Sequence, residues 1–381
     1  MPAQMRPVRI ALGGFLTLAA GMGIGRFVYT PLLPMMAADL GLSPTEAGLI
    51  ASANFAGYLA GALIASLPFL PGGRKFWLIA ALCASGLTTA AMGLFDGITA
   101  QAGLRAAGGV ASAFALVYGS ALVTGHIGAA GRAGLVALHF AGVGAGIALS
   151  ALAVGAASEF GAGWRTLWLV GGAATIAAMV AVIFMVPAGA PAGGEARGEK
   201  RPGLWRLVAA YGCLGFGYVI TATFIVAIVR EGGGTAWAEA GVWCLVGLAG
   251  MPSVWLWNRA VPRFGAIPVY QVALLIEAAG VAVCVIWPGT IGLAIGAVAL
   301  GGTFMALTAM GFAIARTMSG GDQRAILGVM TAAFGTGQML GPAVAGWLRD
   351  ATGSYLAPSL AASAVLVAGA VLIVPLRRAR T

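Results

Sequence analysis

Two arginines stand in this chain where arginines are costly. Arg26 lies about 17 residues into a first long apolar segment, and Arg105 about eight residues into a fourth. A charge at the centre of a bilayer costs at least about 2.5 kcal/mol, so an ionisable group there is a candidate for function. A guanidinium is a planar fork of donors that matches a carboxylate, and no intramembrane acid stands near either arginine in sequence. The pair therefore predicts an anionic ligand such as a carboxylate. A structural reading competes with it, in which Arg26 reaches the interface or pairs with Glu46 or Asp39, and Arg105 bonds a backbone carbonyl.

Helical spacing selects what can join them. At about 100° per residue, Ser112 falls on the face of Arg105, while Phe114 and Tyr118 point nearly opposite. Tyr29 and Thr30 are the i+3 and i+4 neighbours of Arg26. Asn54 and Tyr58 share one face of the second segment, and Thr331, Phe334 and Gln338 share one of the eleventh. Each is a cavity or gate residue, or else an interhelical hydrogen-bonding group. Glu277 sits midway along the ninth segment and reads as a neutral Glu bonded to a neighbouring helix. His126 and His139, near the ends of the fourth and fifth segments, titrate near neutral pH or serve as interface residues.

The elements that must position these groups are membrane spans. The 381 residues are 60% hydrophobic and 8% charged, with a mean hydropathy of +0.96, against about 25% charged in a soluble domain. Windows such as 47–73, 133–158 and 207–229 hold no charge at all, and roughly 20 apolar residues suffice to cross a bilayer. Twelve spans are predicted, at 9–36, 45–70, 75–95, 98–124, 132–157, 164–187, 204–230, 236–258, 265–287, 290–317, 324–348 and 354–376. The stretch 188–203, rich in Gly, Pro and charge, predicts a flexible cytoplasmic linker between an N-terminal bundle (1–187) and a C-terminal one (204–381).

The net charge of +10 does not imply nucleic acid. With the N-terminus inside, 16 basic residues fall on the cytoplasmic side, 3 on the other and 2 within spans. That asymmetry predicts a multi-pass inner (plasma) membrane protein with both termini cytoplasmic and membrane lipids as its neighbours. Cys83, Cys213, Cys244 and Cys284 sit in apolar segments at spacings that fit neither a zinc site nor a disulfide framework. Ser43-Pro44-Thr45-Glu46 predicts a capping box opening the second span; Glu239, four residues after Thr235, makes an imperfect counterpart. Trp287-Pro288-Gly289 marks a tight turn. Small-xxx-small pairs at Gly21/Gly25, Gly57/Gly61, Gly142/Gly146 and Gly337/Gly341 predict close helix packing on spans that slide or rock.

The chain also nearly repeats itself. Gly23-Ile24-Gly25 returns as Gly215-Phe216-Gly217, Glu46-Ala47-Gly48 as Glu239-Ala240-Gly241, and Gly108-Gly109 as Gly301-Gly302, at displacements of 192, 193 and 193 residues. Two same-handed halves are the architecture of a transporter that rocks one bundle against the other. Tyr218 stands where the second half would repeat Arg26, so the symmetry breaks at this site, as ligand binding or simple drift would each produce.

The first-helix block Gly23-Ile24-Gly25-Arg26-Phe27-Val28-Tyr29-Thr30-Pro31-Leu32-Leu33-Pro34 resembles the signature of the YbfB/YjiJ-type branch of the major facilitator superfamily. Ser52-Ala53-Asn54-Phe55-Ala56-Gly57-Tyr58, Arg105-Ala106-Ala107-Gly108-Gly109 and Gly335-Thr336-Gly337-Gln338-Met339-Leu340-Gly341-Pro342 are similar to superfamily patterns in the second, fourth and eleventh helices. The resemblance covers essentially the whole chain and implies an all-α fold of two six-helix bundles, with the first and fourth helices lining a central cavity. Two departures weaken a drug-efflux reading: Pro71-Gly72-Gly73-Arg74-Lys75 lacks the acid of the usual gating motif, and Gly108 stands where drug antiporters carry Gln. No phosphate-binding loop is present, so no nucleotide cofactor is expected. The leading expectation is a monomeric, non-enzymatic secondary transporter of a small organic solute, with efflux of lipophilic compounds as the second. A membrane enzyme should show convergent acids, histidines or a metal cluster, and a sensor an attached soluble domain.

Overall fold

The computed structural model describes residues 6–67, 70–189, 202–287, 289–319 and 323–378. Most of the 188–203 linker, Pro288 of the predicted turn and the basic residues Arg197, Lys200, Arg201 and Arg380 lie outside them. Among the described residues every regular element is helical.

The first span is not the continuous helix expected. It divides into α1 (Pro7–Leu18), a wider π-helical turn over Ala19–Ile24, and α2 (Tyr29–Leu40). The spans that follow are single helices: α3 (Pro44–Ala65), α4 (Arg74–Ala91), α5 (Ile98–Ala129), α6 (Val136–Glu159) and α7 (Trp164–Met185). Then come α8 (Leu204–Glu231), α9 (Ala236–Phe264), α10 (Ala266–Ile286), α11 (Thr290–Met318), α12 (Gln323–Thr352), α13 (Leu356–Leu372) and a short α14 (Val374–Arg378). With α1 and α2 counted as one, eleven segments among the described residues are long and apolar enough to cross a membrane. α12 has the length, 30 residues, but Thr331, Thr336 and Gln338 interrupt its apolar run.

Helix starts follow local chemistry. Ser43 Oγ accepts from the Glu46 amide at 3.2 Å, and a Glu46 carboxylate oxygen accepts from the Ser43 amide at 2.8 Å, which is the predicted capping box. Thr235 caps α9 through the amide of Ala238, while Glu239 pairs with Arg230 at 2.6 and 2.8 Å.

The helices α1–α7 pack among themselves, as do α8–α14. The two sets meet along α3 against α12 and α6 against α9, with α2 resting on α8 and α9. Under the internal repeat α3 corresponds to α9 and α6 to α12, so the two seams are images of one another. The start of α1 touches the end of α7 through Arg9 and the Phe184 carbonyl, and Gly203 lies beside Leu376. Both sets thus have their chain ends at one end of the bundle; the other is called here the loop end.

The small-xxx-small pairs sit on the helices expected, but on other faces. Gly57 and Gly61 abut Ala106 and Val110, Gly142 and Gly146 abut Phe15 and Ala19, and Gly337 abuts Gly212. All of these contacts are internal to one set. The seams use different small residues: Gly48 faces the Pro342 carbonyl, Gly346 that of Pro44, and Gly144 and Gly247 face each other. Among the described residues, the few side-chain hydrogen bonds across the junction lie at its middle and its loop end. Thr30 Oγ1 donates to the Ala222 carbonyl at 2.7 Å, the Ala343 amide to Ser52 Oγ at 3.1 Å, and the Thr45 amide to Asp350 Oδ2 at 2.9 Å.

Candidate functional site

The site begins at the break between α1 and α2. Three glycines at alternate positions, Gly21, Gly23 and Gly25, are followed by prolines at 31 and 34. Glycine favours irregular backbone and proline removes a donor from the ladder. Gly23 also passes so close to α6 that a Cβ on it would stand 2.5 Å from the Gly146 Cα. Amides across the wide turn reach back five residues, Gly25 to Ala20 at 2.8 Å and Phe27 to Met22 at 3.1 Å. The carbonyls of Gly25 and Arg26 are left without a backbone donor. Arg105 supplies them, from Nη1 to Gly25 at 3.2 Å and from Nη2 to Arg26 at 2.9 Å. Irregular backbone inside a membrane survives only where something satisfies its polar groups, and Arg105 does so here. Asn54 Nδ2 in turn donates to the Arg105 carbonyl at 2.8 Å, tying α3 to α5.

Arg26 is 3% exposed and differently placed. Its guanidinium carbon stands 4.1 Å from the centre of the Tyr58 ring, 4.6 Å from that of Phe55 and 5.4 Å from that of Phe27. Its Nε and Nη2 meet no hydrogen-bond partner. The aromatic faces attract a cation but leave those two nitrogens without an acceptor. The acids once available to it are engaged elsewhere. Glu46 closes its capping box, and Asp39 accepts from Trp164 Nε1 at 2.8 Å and stands 3.8 Å from Arg165.

Two small adjoining cavities open at the junction of the helix sets. The first is lined by Arg26, Tyr29, Thr30, Phe55, Arg105 and Thr223. The second, entirely apolar, is lined by Tyr218, Trp243, Val246, Leu300 and Phe304. Phe27 and Ala222 border both. Each has a free volume of about 10 Å³, room for one water molecule. Either must widen before a solute can enter.

Of the residues predicted from sequence, Arg26, Tyr29, Thr30 and Arg105 line the first cavity and Tyr218 the second. Tyr29 does not partner Arg26 as helical spacing suggested. Its ring lies 5.0 Å from the Arg105 guanidinium and its hydroxyl donates to the Ala47 carbonyl at 2.9 Å, because the break rotates α2 relative to α1. Tyr58 supports Arg26 from beneath. Phe334 stacks on Tyr218 at 5.8 Å, and Gln338 Nε2 donates to the Tyr218 hydroxyl, so both back the second cavity. Asn54 and Ser112 border neither cavity; Ser112 Oγ donates to the carbonyl of Gly109 on its own helix. Tyr118 points away and bonds the Ala65 carbonyl at 3.2 Å. Glu277, fully buried, accepts from Thr303 on α11, and His139 meets Ser120 Oγ at 3.0 Å. Sequence reasoning missed Phe27, Thr223, Trp243 and Phe304. Trp243 and Val246, four and seven residues after Glu239, share a face of α9, and that spacing was the one available signal.

Repeat-related helix sets joined along two seams, with a broken first span and a buried cation between them, have the architecture of a major facilitator superfamily transporter, a multi-pass membrane protein. Within that class the chain belongs to the family described as the uncharacterised MFS-type transporter YbfB, whose model matches residues 18–374. Among solved structures it is similar to a bacterial homolog of the human lysosomal transporter Spinster in an inward-facing, unoccupied conformation. That likeness has a TM-score of 0.67 at 18% identity and covers 97% of this chain and 95% of that one. The nucleoside transporter NupG gives a TM-score of 0.72 at 13% identity, over 96% of this chain and 98% of that one. At these identities the likeness is one of fold. No curated protein matches the chain.

Proposed function

We propose that this protein is a secondary transporter carrying a small organic anion by alternating access, with residues 1–187 and 204–381 as the two moving bundles and 188–203 as their linker. The observation that carries the reading is Arg26, a buried cation with two unpartnered nitrogens beside a cavity at the junction of the two helix sets. Leaving a buried charge unpaired costs several kcal/mol, a cost that a carboxylate seated on those donors would offset. The lining includes two arginines and no acid, which favours an anion over a cation. The charge asymmetry of the connections supports both termini at the cytoplasmic face of the plasma membrane.

A thermal-shift screen of the purified protein against organic anions, cations and neutral solutes tests the ligand class. Uptake of the stabilising compounds into proteoliposomes then tests transport. Anions are expected to stabilise the protein and to be carried, and Arg26→Ala is expected to abolish uptake while the protein still inserts. Stabilisation by cations or neutral solutes alone, or full transport by Arg26→Ala, contradicts the reading.

A further inference from the structure

The two cavities differ in chemistry and share a wall. One is lined by Arg26, whose Nε and Nη2 have no hydrogen-bond partner, and by the hydroxyl-bearing Thr30 and Thr223; the other presents no polar surface. The second is bounded by flat rings in a defined arrangement. Tyr218 and Phe304 lie nearly parallel, at 12° with centres 5.8 Å apart, and Phe334 also lies nearly parallel to Tyr218, at 9° and 5.8 Å. Phe27, which borders both cavities, meets Phe304 edge-on at 6.1 Å and Trp243 at 6.4 Å. Phe27 comes directly after Arg26 in the chain. A movement of the break that widens one cavity therefore shifts the ring that divides it from the other.

Resting on the anionic reading of this site, we propose that the solute is an aromatic monocarboxylate, its carboxylate on Arg26 and its ring between Phe27, Trp243 and Phe304. A flat ring gains edge-on and offset contacts among aromatic side chains beyond its buried area. One free guanidinium fork matches one carboxylate, since Arg105 already spends two of its nitrogens on carbonyls. A second anionic group would meet only the apolar cavity, where an unpaired charge is strongly disfavoured.

Isothermal titration calorimetry of the full-length protein with four probes tests this: phenylacetate, its neutral analogue phenylacetamide, acetate, and the dicarboxylate succinate. Phenylacetate is expected to bind at least about tenfold more tightly than each of the others, a difference of about 1.4 kcal/mol. Acetate or succinate binding as tightly as phenylacetate overturns the aromatic monocarboxylate while leaving the anionic reading in place. Phenylacetamide binding as tightly overturns the anionic reading and the proposal with it. Failure of all four to bind overturns the proposal. Two variants separate the parts of the site. Arg26→Gln is expected to erase the preference for phenylacetate over phenylacetamide. Trp243→Leu is expected to weaken phenylacetate several-fold while preserving that preference. Loss of the carboxylate preference in Trp243→Leu, or its survival in Arg26→Gln, contradicts the assignment of the two cavities.

Discussion

Arg105 fills two backbone acceptors and Arg26 fills none, and that contrast separates the consequences of replacing them. Arg105→Met strands the carbonyls of Gly25 and Arg26 in a dry interior at about 1–3 kcal/mol each. It is therefore expected to lower the melting temperature in detergent as well as activity, and Arg105→Lys, which can still donate, to recover part of the stability. An unchanged melting temperature for Arg105→Met would contradict its role at the break. Glu277 is held by Thr303, and Glu277→Gln keeps an acceptor for that hydroxyl. Transport driven by a pH gradient is expected to be unaltered in this variant, and its loss would identify Glu277 as a coupling group. Arg26 was legible in the sequence because a charge in an apolar run stands out. The capping role of Arg105 was legible only as an alternative, because nothing in the spacing revealed which carbonyls would be free. Phe27 and Phe304 were not legible, and Trp243 only through its spacing from Glu239, since an aromatic residue in a membrane helix is equally at home in any packed interior.

Spans were readable because apolar length is a property of composition alone. The break in the first span was not, although its ingredients were visible. Alternating glycines and two downstream prolines occur in many continuous membrane helices, where neighbours restore the lost bonds. What decides the matter is the approach of α6 to Gly23 and the reach of Arg105, both contacts distant in sequence. The glycine pairs illustrate the same limit. Their spacing identified the helices that pack closely but not the partner on each face. On α6 the two faces divide the work: Gly142 abuts the Phe15 carbonyl within one set, and Gly144 abuts the Gly247 carbonyl across the seam, with an added Cβ standing 2.1 and 2.4 Å from those oxygens respectively. Gly142→Ala is accordingly expected to lower thermal stability. Gly144→Ala is expected to spare it and instead increase maleimide labelling of a cysteine placed at the buried Ala151, seven residues along the same face. Equal loss of stability in both variants would contradict the distinction between a fixed and a moving face.

At the scale of the molecule, the internal repeat foretold paired helix sets, but not the contact that holds them at the loop end. Asp350 closes α12, and its carboxylate accepts from both the amide and the hydroxyl of Thr45 in the first turn of α3, 305 positions away in sequence. A carboxylate at a helix N-terminus is worth about 0.3–1 kcal/mol when exposed. A latch of that size biases a two-state equilibrium by about twofold to fivefold without locking it. Alternating access requires the loop end and the opposite end to move in opposite senses, and Asp350→Ala should release one of them without any solute present. Double electron–electron resonance reads this directly, with one spin-label pair at the exposed loop-end positions Phe160 and Ala351 and another at the exposed positions Ala130 and Thr317 at the far end. In Asp350→Ala the Phe160–Ala351 distances are expected to lengthen as the Ala130–Thr317 distances shorten. Distributions that stay unchanged at both ends, or that shift in the same sense, would contradict alternating access between two rocking bundles.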